Sequence, residues 1–425
     1  MEKATEVSMR ESLRKRHCPG LEVESSQRLA DEEHGERSKQ FLACLETLFD
    51  EFGRKTDLPT ESQNAAAEEE DEDEDEDDDD DDPDRQAVRY RKRWNSMWSE
   101  YHGSFEHSTL IPSMRYTIER PPQRIDPCHT LQIFSVKIAE IGGGFQWPLD
   151  VYGLVATRDS VDQNRNIVFQ RLRFECQTLT EKVHRVDVFQ VVGIPEIRWE
   201  PDSNCALDPY LVLTGPTRAV ALVDPVNIEV YLKVKGRTQL EDKTLCFLAE
   251  DILSLTQVHS CLLHRTWTSK FSTLEFTLGH IIFSVEATIF VRVVDGSWPD
   301  GFHGQFAACM VSSIGHHCEA EVPILGRTTS VNHKKIILLG FGDGKLPVMV
   351  GGSEIQLARC VVSAEVGSKL KVFVKAWQDQ GNILEAVTQF TAKEAGSSFG
   401  TLDIGPCKID VIVAWSLVSS DPEPH

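Results

Sequence analysis

Apolar and polar residues alternate one by one along several stretches of this chain. Between Leu131 and Gly153, Phe134, Val136 and Ile138 alternate with Ser135, Lys137 and Ala139. A period of two sets one face of a β-strand on a core. Val226, Ile228, Val230, Leu232 and Val234 alternate in the same way with Asn227, Glu229, Tyr231, Lys233 and Lys235, and Leu370, Val372 and Val374 with Lys371, Phe373 and Lys375. Gly142, Gly143 and Gly144 end the first strand, because Gly takes positive φ freely. Trp147-Pro148 follows. Proline holds the preceding residue extended and removes a ladder donor. The pair predicts a corner between strands with the indole in the core, since large aromatics are more often core than ligand contacts.

A fainter copy begins at Ala287. Both stretches read strand, Gly-containing turn, Trp-Pro, then a Gly five residues after the proline; the second carries Trp298-Pro299. Thr273-Leu274-Glu275-Phe276 echoes Thr401-Leu402-Asp403-Ile404, and each is followed by a closing strand, Val285 to Val293 and Ile409 to Trp415. The order predicts a mainly β fold of two tandem β-sandwich-like units, residues 128–283 and 284–418. Irregular stretches interrupt them at 181–207 and 311–332. Val285 to Val293 is needed both as the last strand of one unit and the first of the next. It is therefore one long shared strand, or the boundary is misplaced.

Upstream, residues 1–27 are polar and predicted disordered. In 28–53, Phe41, Leu45, Leu48, Phe49 and Phe52 form one apolar stripe at helical spacing, closed by Gly53. This is an amphipathic helix expected to dock on the β-units. Residues 54–84 are an acidic linker, 85–127 a basic and aromatic segment, and 419–425 a tail. The N-terminal region thus reads as largely disordered and acidic, with one helix.

Charge changes the picture at one place. The chain carries a net −23, but Glu68 to Asp82 is an unbroken run of 15 acidic residues. Taking those 15 charges from −23 leaves −8 over the other 410 residues, an ordinary acidic protein. Such a run is a solvated spacer or an electrostatic hook for basic proteins. The following segment reverses sign: Arg89, Arg91, Lys92 and Arg93 interleave with Tyr90, Trp94, Trp98 and Tyr101. Basic residues among aromatics can hold nucleic acid. They equally make an amphipathic element that covers a sheet with its rings and shows its charges to water. No complete nucleic-acid motif accompanies them, and nucleic acid is not the expected partner. The 11 cysteines are scattered without a CxxC pair. With no apolar run near the ~18 residues that span a membrane and no signal-peptide pattern, the expectation is an intracellular protein, cytoplasmic or nuclear, with free thiols.

Candidate chemistry is sparse. Asp159, Asp162, Asn164 and Asn166 share one loop, and Asp208-Pro209-Tyr210 and Asp224-Pro225 lie on later turns. Oxygen ligands on sandwich loops can bind calcium, as in phospholipid-binding C2 modules, but turn-forming Asx residues explain them as well. His316-His317-Cys318 is dense in metal-type ligands, yet neighbours on an extended segment point opposite ways. There is no G-x-S-x-G, P-loop, H-E-x-x-H or dinucleotide fingerprint. No catalytic, cofactor-binding or metal residue is assigned, and no cofactor is expected.

Several blocks together carry a resemblance: LQIFSVKIAEIGGGFQWPLDVYGLVATRD, NRNIVF, DPYLVLTGPTRAVALVDPVNIEVYLKVKG, SVEATIFVRVVDGSWPDGFHGQF and IDVIVAWSLV. Over about Leu131 to Val418 the chain resembles the C-terminal domain of unknown function found in many paralogues of cereal grasses. RLADEEHGERSKQFLACLETLFDEFG and YRKRWNSMWSEYHGSF resemble those proteins' N-terminal parts. Some relatives are linked to ribosome-inactivating rRNA N-glycosidases, which implies a plant defence context. That fold's Glu and Arg three residues apart in an Ala-rich helix have no counterpart here, so the resemblance implies no catalytic residue. The expected function is a non-enzymatic protein-interaction or scaffold module. The alternatives are an rRNA N-glycosidase-related protein and a C2-like calcium or lipid binder. The expected partner is a protein, and a basic one where residues 68–82 take part.

Overall fold

A computed structural model of the chain describes residues 83–118, 125–181, 209–254, 258–312, 321–322, 326–327, 329–342, 344–348, 352–378 and 381–419. The helix expected at 28–53, the acidic run, the insertion at 181–207 beyond Glu181, and His316-His317-Cys318 lie outside the described residues.

Among the described residues the chain is mainly β, with one α-helix, α1 (Pro83–His102). The strands are β1 (Cys128–Ile141), β2 (Leu149–Arg158), β3 (Asn166–Arg171), β4 (Gln177–Leu179), β5 (Val220–Ala221), β6 (Val226–Val234), β7 (Lys243–Ile252), β8 (Cys261–Thr268) and β9 (Ser272–Gly296). There follow β10 (His303–Val311), β11 (Glu321–Val322), β12 (Gly326–Arg327), β13 (Thr329–Ser330), β14 (Ile336–Phe341), β15 (Val361–Glu365), β16 (Lys369–Trp377), β17 (Ile383–Thr391), β18 (Gly396–Asp403) and β19 (Cys407–Ser416).

The alternating stretches become strands whose apolar positions face two cores. Ile228, Val230 and Leu232 of β6 are at most 1% exposed and meet Val136, Ile138, Phe276 and Leu278 in the first core. Leu370, Val372 and Val374 of β16 are fully buried with Ile289, Val291, Val411 and Trp415 in the second. Each core lies between two antiparallel sheets, a β-sandwich-like arrangement. The strand orders agree: β8-β9-β1-β5 with β3-β2-β6-β7 around the first core, and β18-β19-β9-β15 with β14-β10-β16-β17 around the second.

β9 is long and shared. Its 25 residues run from Ser272 to Gly296. The first part lies between β1 and β8, the second between β15 and β19. The core-facing positions are even up to Leu278, in the first core, and odd from Ile281, in the second. Just beyond that change, pairing with β1 slips from Thr130↔Ile281 to Cys128↔Ser284. A slip of this kind is how a strand re-aims its side chains without leaving the sheet. Phe283 sits there at a φ of 41°, unusual for a bulky residue, with its ring largely exposed.

The strand corrects the echo read from the sequence. Thr273 to Phe276 opens β9, whereas Thr401 to Asp403 closes β18. Val285 to Val293 and Ile409 to Trp415 are hydrogen-bonded partners, Val291 opposite Val411 and Ala287 opposite Trp415, and not counterparts. In strand order, β19 holds the place beside β18 that the first part of β9 holds beside β8.

The Trp-Pro corners also differ. Trp298 is 8% exposed, donates its indole N–H to the Phe302 carbonyl at 3.0 Å and packs edge-on against Phe341. Trp147 reaches the rim of the first core and stays half-buried, so the expectation of a fully covered indole holds only for Trp298. Trp298→Ala should cost about 3–5 kcal/mol in urea unfolding, and Trp147→Ala under about half of that. Equal losses would show that exposure does not rank the two corners.

Candidate functional site

The basic, aromatic segment folds as α1, and the spacing of its rings says why. Ala87, Tyr90, Trp94 and Trp98 recur along one face, with Ala87 and Trp94 at most 3% exposed. Arg85, Arg89, Lys92 and Arg93 are exposed. Apolar rings at this spacing put one helix face onto a partner surface, here β7 of the five-stranded sheet. Gly103 ends the helix at a φ of 77°, with its N–H bonded to the Ser99 carbonyl at 3.0 Å. A residue without Cβ takes that left-handed turn at little cost.

Beneath α1 lies a buried cluster that joins helix to sheet. Phe105, just after the helix, is 5% exposed. The Arg158 guanidinium stacks 4.1 Å from the Phe105 ring centroid and 5.0 Å from that of Trp94, and Arg165 and Arg91 each lie 5.1 Å from the Phe105 centroid. Glu229 supplies the counter-charge: one carboxylate oxygen accepts from Arg158 at 3.0 Å and from Arg165 Nε at 2.9 Å, and the other from Arg165 Nη2. Arg158 also donates to the Phe105 carbonyl at 2.6 Å and the Gln163 carbonyl at 2.7 Å. The Trp94 indole bonds the same Gln163 carbonyl at 3.0 Å. Burial lowers the Arg158 pKa, opposed by Glu229. Glu229 is 4% exposed, which corrects its reading as a water-facing position in β6.

The loop that could hold calcium is satisfied internally. Both oxygens of Asp159 accept from Arg218 at 2.8 Å, and Asp159 also takes the N–H groups of Val161, Asp162 and Ala221. Asp162 faces His102 at 3.3 Å and caps the Asn164 N–H. Asn166 bridges the Arg218 carbonyl and the Thr217 N–H. These carboxylates address a guanidinium and turn amides. No group of three or more metal-type ligands occurs among the described residues. Asp208 lies outside them, and Asp224 is far from Asp162 along the chain but close in space.

What brings Asp224 there is a cleft of about 390 Å³ between α1, the loop 160–163 and the ends of β6 and β7. The helix contributes Tyr90, Trp94, Met97 and Trp98; the opposite side contributes Asp162, Asp224 and Asp251. Met97 is 51% exposed and Trp98 half-buried, its ring edge-on to His102 at 5.9 Å. The Tyr90 hydroxyl is buried without a hydrogen-bond partner. Burial raises its pKa, opposed by Arg158 and reinforced by Glu229 and Asp251. Asp251 accepts from the Asn227 amide. The sequence named Asp162, Asp224, Trp94 and Trp98 singly; it carried no sign that one cleft gathers them.

A second polar cluster sits at the bend of β9. His129 Nδ1 lies 2.8 Å from His280 Nε2, and the Thr130 and Ser284 hydroxyls lie 2.6 Å apart. Burial, with His129 beside it, lowers the His280 pKa to about 4. The seven described cysteines are free thiols.

The mainly β fold of antiparallel sheets, with a helix locked on one of them, defines the class. Within it, the chain belongs to the family described as "Domain of unknown function (DUF6598)", whose profile matches residues 130–413. No curated protein matches the chain. Among solved structures, human GIVD cytosolic phospholipase A2 aligns at 8% identity and TM-score 0.21, over 71% of this chain and 31% of the phospholipase chain. This chain therefore spans about a third of that one. The paired C2 domains of Extended-Synaptotagmin 2 align at 8% identity and TM-score 0.20, over 73% of this chain and 99% of that one. Their calcium-bound form aligns at 9% and 0.19, over 70% and 100%. Likeness at these scores carries no argument about this chain.

Two outcomes test the clusters. Glu229→Gln leaves Arg158 and Arg165 buried together without a counter-charge, and should cost about 3–5 kcal/mol in urea unfolding; a loss under about 1 kcal/mol would mean the cluster is not a lock. His280, with its folded pKa below its unfolded value of 6.5, binds its proton more readily in the unfolded chain. Its contribution is complete above pH 6.5 and is lost as pH falls toward about 4. Thermal melts of the wild type and His280→Gln should diverge in slope across that window. Parallel pH profiles would remove His280 from the acid response.

Proposed function

We propose that this protein is a non-enzymatic protein-interaction module built from two copies of one sandwich. The α1 cleft is its recognition site and the acidic run Glu68 to Asp82 its long-range attractor. The single observation that carries this reading is the cleft. It is open, walled by rings on one side and by carboxylates on the other, and held by a buried Arg–Glu–aromatic lock. Around it, buried charges are spent on one another: Asp159 on Arg218, Glu229 on Arg158 and Arg165, Asp242 on Arg173. Of the cleft's carboxylates, Asp224 and Asp251 are exposed, while Asp162 is buried against His102. Aromatic residues carry much of the energy at protein interfaces, and carboxylates there select the sign of the partner.

The acidic run stands immediately before α1 in the chain: Asp82 is followed by Pro83, the first residue of the helix. A polyanion so placed attracts basic proteins, and the attraction falls as the Debye length shrinks from ~10 Å at 0.1 M salt to ~3 Å at 1 M. The test is a pull-down of histones as a basic model partner with three chains: wild type, a deletion of Glu68 to Asp82, and an equal-length Gly/Ser replacement. Capture at low salt should fall for both altered chains and vanish for all three at high salt. Equal recovery by the three at low salt would reduce the run to a spacer.

A further inference from the structure

The cleft specifies more than a sign of charge. We propose that it takes a single cationic side chain, an ammonium or guanidinium group, presented by a basic segment of a protein partner; this rests on the interaction reading above. Three features point the same way. The first is composition: Asp162, Asp224 and Asp251 line the cleft against one guanidinium, Arg93, and the His102 ring. A bound cation meets an excess of carboxylate, and a bound anion meets repulsion.

The second is the opposite wall. Trp98 and Tyr90 present rings on a rigid helix, and a cation over an aromatic face is attracted by the ring quadrupole. The protein uses this chemistry one layer deeper, where Arg158 stacks on Trp94 and Phe105 at 5.0 and 4.1 Å from their centroids. Trp94 thus belongs to both layers: Arg158 stacks on its ring, and the same side chain lines the cleft. The third feature is the Tyr90 hydroxyl, buried and without a partner among the cleft's own residues. A phenol oxygen accepts from an N–H donor, which is what an ammonium or guanidinium brings. About 390 Å³ has room for one long basic side chain and its stem.

The experiment uses the full chain with Glu68 to Asp82 replaced by Gly/Ser, so that the polyanion does not mask the cleft. Titration calorimetry with a short arginine-rich peptide, a lysine-rich peptide and an acidic peptide reads the affinity. The basic peptides should bind and the acidic one should not. Asp224→Asn combined with Asp251→Asn should weaken binding roughly tenfold or more, and Trp98→Ala likewise. The aspartates are exposed, so their variants keep the fold by circular dichroism even if the Trp98 variant does not. If the cleft variants bind basic peptide as the unsubstituted chain does, the cleft assignment falls. The interaction reading then stands only if the acidic run still captures basic protein. If no basic peptide binds and histone capture fails too, both fall. Phosphatidylcholine vesicles serve as a separate arm: binding of vesicles without binding of peptide assigns the cleft to a quaternary ammonium headgroup and overturns the side-chain proposal.

Discussion

One strand constrains everything else in this fold. β9 gives its first part to the sheet over one core and its second part to the sheet over the other. A strand has two faces and a period of two, so core positions of opposite parity face opposite sides of the sheet unless a bulge lies between them. Pairing of β9 with β1 slips between Ile281 and Ser284, and Phe283 takes a φ of 41° there. Buried polar contacts tie the neighbouring segments together. Glu286 accepts from the Met114 and Ala219 N–H groups at 2.6 and 2.7 Å, Arg359 donates to the Ile133 carbonyl at 2.9 Å, and Ser363 N–H to Gln132 at 2.8 Å. Each of these bonds ties a residue before β9 to one within or after it. The two halves therefore share a covalent strand and a buried polar seam.

The second constraint is the lock under α1. Burying Arg158 and Arg165 is costly unless their charges are neutralised and their N–H groups occupied. Glu229 neutralises them, and with the main-chain carbonyls of Phe105, Gln163 and Glu106 it occupies their N–H groups except the buried Arg158 Nε–H. Directional bonds of this kind set the position of the helix more closely than apolar packing alone. That matters because the cleft is only as well formed as the placement of α1 over the ends of β6 and β7. The sheet residue that fixes the helix, Glu229, is two positions from Asn227, which lines the cleft and holds Asp251.

What the sequence made legible follows from the length scale of each feature. Alternation is local, so β1, β6 and β16 could be read directly, as could the strand end before Gly143 and Gly144, which have φ of 61° and 79°. Strand pairing is not local. The echo of Thr273 to Phe276 in Thr401 to Ile404 is a similarity of composition between strands in different positions, and only hydrogen-bond partners distinguish the two cases. Glu229 alternates like a solvent-facing residue; its burial depends on α1, far earlier in the chain. Asp159 could be read as a turn residue or as a calcium ligand, because Asx residues of a turn and of a cation site share one composition. Arg218, 59 residues away, donates to both oxygens of Asp159. In each case the missing term was a long-range partner of opposite charge or complementary shape.

Charge along the chain is arranged in an order that serves these parts. A helix N-terminus carries a partial positive charge and is stabilised by acidic neighbours. The acidic run ends immediately before α1, and Asp84 lies in the helix's first turn. The exposed basic residues Arg85, Arg89 and Lys92 fall at i, i+4 and i+7, a stripe distinct from the face of Ala87 and Trp94. Contacts in the cleft act at a few ångströms between desolvated groups, where salt intervenes far less. Two attractions of the same sign but different range would therefore separate by their response to salt: on the proposed reading, a steep one at the run and a shallow one at the rings and carboxylates beside α1.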